Sequence, residues 1–178
     1  MERRDLLKGI VVAGGMLCMP PAFAASRSVR VPNSYVEAAK KHGIPPIHMY
    51  ALAVKESNEP KRGKPNPFAM NFKGKSYYFE SQQELFLNAQ YLVENSQTIF
   101  DLGPVQVNWH WHSESFEDLW DATNPFKSLD VGAAYFRKQF EKTGDWFEAA
   151  GRYHSFTPDK ARTYRRDYEA VYRRIVNA

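Results

Sequence analysis

The stretch "YALAVKESNEP", Tyr50 to Pro60, runs an apolar helical pattern straight into a lysine, a glutamate and a serine, and then stops. Ile47, Tyr50, Ala51 and Val54 recur at helical spacing behind Pro45-Pro46, which can open a helix, so residues 46–57 read as an amphipathic helix ending near Glu56. A carboxylate at the end of so apolar a segment is costly to bury unless it is paired or protonated. The rest of the chain has to account for it.

Upstream, Ser34-x-x-Glu37 has the form of a capping box and Gly43 that of a stop, which predicts a helix over 34–42. Downstream, "EPKRGKPNP" is expected to be a loop. "FAMNFKGKSYYF" alternates Phe68, Met70 and Phe72 and returns through Tyr77 and Phe79, which predicts a β-hairpin. Ser81-x-x-Glu84 opens a helix to about Glu94 with Leu85, Ala89 and Leu92 inward. "DLGPVQVNWHWH" reads as irregular, followed by a short helix near Phe116–Trp120. Leu129, Ala133, Phe136 and Phe140 mark a long helix that Gly144 stops, and 145–155 form another. Thr157-Pro158 caps a last basic helix with Tyr164, Val171 and Ile175 on its apolar face. The sum is a mainly α fold with one small hairpin.

The chain has 178 residues, 43% hydrophobic and 15% aromatic, which suits one globular domain with a real core. Residues 1–24 are read separately. A charged opening, "MERRDLLK", precedes the apolar run "GIVVAGGMLCM", and Ala22-Phe23-Ala24 has the small-x-small form of a signal-peptidase site. This predicts a cleaved export signal and a mature domain over 25–178, in the periplasm. Arg3-Arg4-Asp5-Leu6-Leu7-Lys8 also fits the twin-arginine form, and both the twin-arginine and the general secretory route stay open. Cys18, the single cysteine, leaves with the signal, so the mature chain has no disulfide or thiol chemistry. The signal removes three basic and two acidic side chains, leaving a net charge of +3.

Three separated pieces then come together: Glu56 with Ser57, "GPVQVN" at 103–108 and "AAGRYHS" at 149–155. Singly, each has a plainer reading: a solvated glutamate, a turn, a core tyrosine. Their order resembles the soluble-type lytic transglycosylases of the lysozyme-like superfamily. "ALAVKES" matches that family's Glu-Ser at the end of an apolar helix. "GPVQV" keeps Gly103, Gln106 and Val107 of its Gly-Leu-Met-Gln motif but has Pro104 and Val105 in the middle. "NPFKSLDVGAAYF" matches a helix opened by Asn124-Pro125 and carrying Gly132 and Tyr135. "AGRYHS" keeps Tyr153 of an Ala-x-Tyr-Asn-x-Gly element, with His154 for the Asn and no closing Gly. The resemblance covers about residues 33–156, with 157–178 as an added helix. About 46 residues separate Glu56 from Gly103, and that insertion looks like the variant carried by conjugative elements and secretion systems.

The resemblance implies a lysozyme-like α+β fold and cleavage of the glycan strands of peptidoglycan, with a 1,6-anhydro-muramic product. Glu56 would be the catalytic acid and then base. Such an acid needs a raised pKa, which burial against Ala51, Leu52, Ala53 and Val54 would supply. Ser57 would orient the carboxyl or the substrate amide. Gln106 and Tyr153 would hydrogen-bond the sugar or Glu56, and Asn108, Trp109, Trp111 and Tyr78 could line a glycan groove. Asp101, Glu59 and Glu80 could each approach Glu56 as a second carboxylate, so a goose-type-like hydrolysing muramidase stays open. So does an inactive peptidoglycan-binding assembly module, given the altered "GPVQ" and "YHS". The partners expected are peptidoglycan strands and envelope-spanning conjugation or secretion proteins. No cofactor is expected. "HWH" at 110–112 lacks further ligands at fixed spacing, which predicts no metal. The acidic residues and tyrosines of "RTYRRDYEAVYRR" predict a solvated helix with an apolar face and no nucleic-acid partner.

Overall fold

A computed structural model describes residues 30–178, so the export-signal reading of residues 1–24 lies outside it. Helix α1 spans Asn33–Lys41 and α2 spans Pro46–Ser57. The expected box at Ser34 is not a cap. The helix begins one residue earlier, no side chain caps it, and the Pro32 carbonyl takes the N–H groups of Tyr35 and Val36. Helix α2 has the expected bounds but a different buried surface. Met49, Ala51, Leu52 and Ala53 are wholly buried, whereas Tyr50 and Val54 are only partly covered. A helix without a polar face is a central one: α1, α8 and β2 all pack on α2. Truncating Leu52 to alanine there costs about 2–5 kcal/mol.

The "EPKRGKPNP" segment is not wholly irregular. Strands β1 (Asn58–Glu59) and β2 (Lys64–Pro65) pair antiparallel, and the turn between them uses Gly63 at φ +64°. The expected hairpin forms as β3 (Ala69–Phe72) and β4 (Lys75–Tyr78). It is half of a larger sheet. Strands β5 (Phe100–Leu102) and β6 (Val107–Asn108), read from the sequence as irregular, extend it in the order β4-β3-β5-β6. Between β4 and β5 in the chain lies α3, Gln82–Glu94, whose Ser81 hydroxyl accepts from the Glu84 N–H. The reciprocal arm reaches one residue further than a capping box, from the Glu80 N–H to the Glu84 carboxylate.

Helix α4 (Trp109–His112) and a 3₁₀ turn (Ser113–Ser115) lead to α5 at Leu119–Thr123, three residues later than expected, because Asp118 is the residue that caps it. Helix α6 spans Pro125–Thr143. The Asn124 carbonyl oxygen on its side chain accepts from Phe126 and Lys127, Pro125 holds the first position, and Gly144 ends it at φ +70°. Asp145 caps α7, Trp146–His154, and Thr157-Pro158 starts α8, Pro158–Val176.

Two apolar clusters result. One joins α1, α2, α6, α7 and α8 around Leu52, Phe136 and Tyr168. The other lies under the sheet, around Leu85, Phe100 and Leu102, with α3 and α5 over it. This mainly α, lysozyme-like arrangement leaves a groove where the clusters meet, and the end of α2 opens into it.

Candidate active site

Glu56, in the last turn of α2, is part-buried, and its carboxyl faces a groove of about 900 Å³. Burial pushes its pKa up to about 7 from 4.5, and the nearby Asp101 carboxylate adds to the rise. The Tyr164 hydroxyl, donating to the Glu56 carboxyl, and the Lys55 ammonium pull the other way. Burial wins. Tyr164 itself is held well above the usual phenol range, so it is a donor at every relevant pH. Lys55 is one residue from Glu56, but its ammonium lies 5.0 Å over the Tyr164 ring. Adjacent helical side chains diverge, which weakens the lysine's hold on the carboxyl.

Of the three expected second carboxylates, only Asp101 shares the groove with Glu56. Burial raises its pKa, against the Asn108 amide that donates to it at 2.7 Å. Glu59 instead pairs with Arg62 and Asn66, and Glu80 with the same arginine. That cluster braces the β1–β2 turn.

The "GPVQ" motif forms the tight turn between β5 and β6. Gly103 sits at φ +80° and Gln106 at φ +51°. A Cβ on Gly103 would lie 2.2 Å from the Ser128 hydroxyl, so no side chain fits there. Four consecutive carbonyls of the turn each receive a side-chain donor. Ser128 donates to Leu102 at 3.1 Å, and Gln106 to Gly103 at 2.8 Å. Ser57 donates to Pro104 at 2.7 Å, and Tyr153 to Val105 at 2.8 Å. Buried carbonyls left without such partners would cost about 1–3 kcal/mol each.

This corrects the expected role of Ser57. It is 1% exposed, its hydroxyl is spent on Pro104 and Ala53, and it has no access to substrate. Gln106 and Tyr153 do line the groove, but the Gln106 amide donates to the Gly103 and Ala69 carbonyls and the Tyr153 hydroxyl to the Val105 carbonyl, and neither to Glu56. Asn108 lines the groove too, holding Asp101 with its amide nitrogen and capping α4 with its oxygen. Trp111, 74% exposed, is a groove residue. Trp109 is not, packing with Phe116 against the sheet cluster, and the Tyr78 hydroxyl is tied to the Asn58 carbonyl. Gly132 of α6 lets the turn approach: a Cβ there would lie 2.4 Å from Val105 and 3.1 Å from the Tyr153 hydroxyl.

His110 contacts Thr98 at 3.0 Å, and the His112 ring packs on Tyr135. Among the described residues no group of three or more His, Cys, Asp or Glu side chains could hold a metal ion.

A model of the SLT transglycosylase domain family matches residues 33–176. The chain belongs to this family. Its activity is that of a lytic transglycosylase, a glycan-cleaving lyase acting on peptidoglycan. No curated protein and no solved structure matches it. The family match runs beyond residue 156 and takes in α8, the helix that delivers Tyr164 to Glu56. Tyr164 is the site residue that the motifs missed. A signal was present: Tyr164, Tyr168 and Tyr172 recur every fourth residue, and a core stripe built of tyrosines needs a partner for each buried hydroxyl. Tyr168 finds the His48 carbonyl, and Tyr164 finds Glu56.

Proposed function

We propose that Glu56 protonates the oxygen of the β-1,4 bond between N-acetylmuramic acid and N-acetylglucosamine, and that the muramic 6-hydroxyl then closes on its own anomeric carbon. Tyr164, bound to one carboxyl oxygen, directs the other toward the groove. As the bond breaks, the leaving sugar keeps the proton and positive charge develops at the anomeric carbon, supported by the substrate's N-acetyl group. The 6-hydroxyl attacks, and its proton passes to the Glu56 carboxylate, which restores the acid. No water is consumed, and the product ends in 1,6-anhydro-N-acetylmuramic acid. Burial keeps Glu56 protonated, and Asp101 reinforces this through charge repulsion and adds negative potential beside the cationic centre.

The observation that carries this reading is a carboxyl with pKa about 7 opening into a large groove beside a second carboxyl. That pKa lets one group act as acid and base near neutral pH. Asp101 also stands where it can position a water, so hydrolysis is the reaction that competes with ring closure in the same groove. Mass analysis of digested peptidoglycan separates them. Anhydro ends, lighter by one water, are expected; reducing ends as the main product would assign Asp101 to water activation.

We also propose that the enzyme works in the periplasm and opens the wall locally for a conjugation or secretion machine. The support is the export-like form of residues 1–24 and the β3–β4 hairpin with α3 inserted between Glu56 and Gly103. N-terminal sequencing of the mature protein, expected to begin near Ala25, tests the export step. Loss of transfer or secretion on deleting the gene, with general wall turnover unchanged, tests the second.

A further inference from the structure

The groove is bipolar. Glu56 and Asp101 lie by the catalytic turn, and Lys138, Lys142 and Arg152 also line the groove. On α6, Tyr135, Lys138, Gln139 and Lys142 follow at intervals of three and four residues and so share a face. Gly132 touches Val105 of the turn. At 1.5 Å of rise per residue, Lys138 and Lys142 stand roughly 9 and 15 Å farther along the axis. Among the described residues, none of the three cations enters an ion pair.

Two buried polar atoms of groove residues also lack partners. The Arg152 guanidinium lies over the Phe156 ring at 5.1 Å, and its Nε is buried without a hydrogen bond. Gln139, only 1% exposed, lies in the groove wall with its Oε1 equally unpartnered. Both atoms are closed off from the groove, so the charges that a ligand there meets are those of the lysines. Neutral sugar hydroxyls require no cluster of cations. The anions of a peptidoglycan strand are carboxylates, on the stem peptide or on the lactyl ether where the peptide is missing. Lys138 and Lys142, unpaired and four residues apart on one helix face, fit a carboxylate. The two carboxyls by the turn repel the same anion and so fix the direction of the strand.

We propose that the Lys138 and Lys142 end of the groove is a subsite for a carboxylate carried by the wall's peptide substituents. The proposal rests on the peptidoglycan reading above.

The test uses the Glu56→Gln protein, so that nothing is cut, and measures binding to three probes. These are intact sacculi, glycan strands stripped of peptide by an amidase, and chitin oligosaccharides, which carry no carboxylate. Adding Lys138→Gln with Lys142→Gln is expected to weaken sacculus binding roughly threefold to twentyfold and to flatten its salt dependence. Chitin binding should not follow. Lys138→Arg with Lys142→Arg should retain sacculus binding. A loss confined to intact sacculi assigns the carboxylate to the stem peptide; an equal loss on stripped strands assigns it to the lactyl group, and both support the subsite. Equal losses on all three probes, or none on any, overturn it. If the parent Glu56→Gln protein ignores both sacculi and stripped strands, the peptidoglycan reading itself has failed before any lysine is changed.

Discussion

Replacing Glu56 with glutamine should cut activity steeply and stabilise the protein, with a gain that depends on pH. The folded carboxyl titrates at about 7 and the unfolded one at 4.5. Between these values the unfolded chain has lost a proton that the folded chain keeps, so raising the pH favours unfolding. Below 4.5 both states are protonated and Glu56 costs nothing. Above 7 the folded state carries the full cost of ionising a poorly solvated carboxyl, about 3 kcal/mol for a rise of this size. Glutamine has no such cost, and its oxygen can still accept from Tyr164. The stability difference should therefore be near zero at pH 4 and grow to about 3 kcal/mol at pH 8. For a domain of this length that is roughly 6–12 °C in melting temperature. Thermal unfolding of both proteins at pH 4, 6 and 8 measures it, and turnover of peptidoglycan should fall about 10²–10⁴-fold in parallel. A difference that is flat with pH, or a mutant less stable at pH 8, would refute the claim that burial holds Glu56 protonated.

Three further substitutions probe the same machinery. Asp101→Asn removes the negative charge that raises the Glu56 pKa, so the alkaline limb of the pH–activity profile should move to lower pH. Tyr164→Phe removes a donor that favours the carboxylate, so that limb should move to higher pH, with kcat reduced about tenfold or more because the carboxyl is no longer held. Ser57→Ala should cost about 1–3 kcal/mol in denaturant unfolding by orphaning the Pro104 carbonyl; the affinity of the folded protein for glycan should be unchanged, which a substrate-binding serine would not allow.

Much of this fold was legible because its signals are local. Asn124-Pro125 and Gly144 bound α6 through backbone rules that need no tertiary context. The apolar run before Glu56 ends where the sequence says it should. What stayed hidden was non-local. Strands β5 and β6 are three and two residues long and exist only because β3 offers its free edge to β5. No periodicity can show in so few residues. Tyr164 lies 108 positions from Glu56, and its neighbours make it read as one more apolar contact. The acidity of Glu56 was visible in outline from α2, but the depth of its burial is set by α8 closing over it.

The motif residues have a task in the fold that their order alone did not reveal. Ser57, Gln106 and Tyr153 come together, as their order in the chain implied, yet their donors meet the backbone of one turn. That geometry also explains why "GPVQ" can carry proline and valine at its centre. The turn is gripped by the carbonyls of residues 102–105, and every residue type has a carbonyl. Proline surrenders only an N–H, which the turn does not use at position 104, while Val105 fills the core beside Gly132. The side chains at 104 and 105 are thus free to change within what the core accepts. Gly103 is not, because its φ and the Ser128 side chain exclude a Cβ. The altered motif therefore still builds a wall behind Glu56, and Pro104 and Val105, one part of the departure that suggested an inactive module, take no hydrogen-bonding group away from the turn.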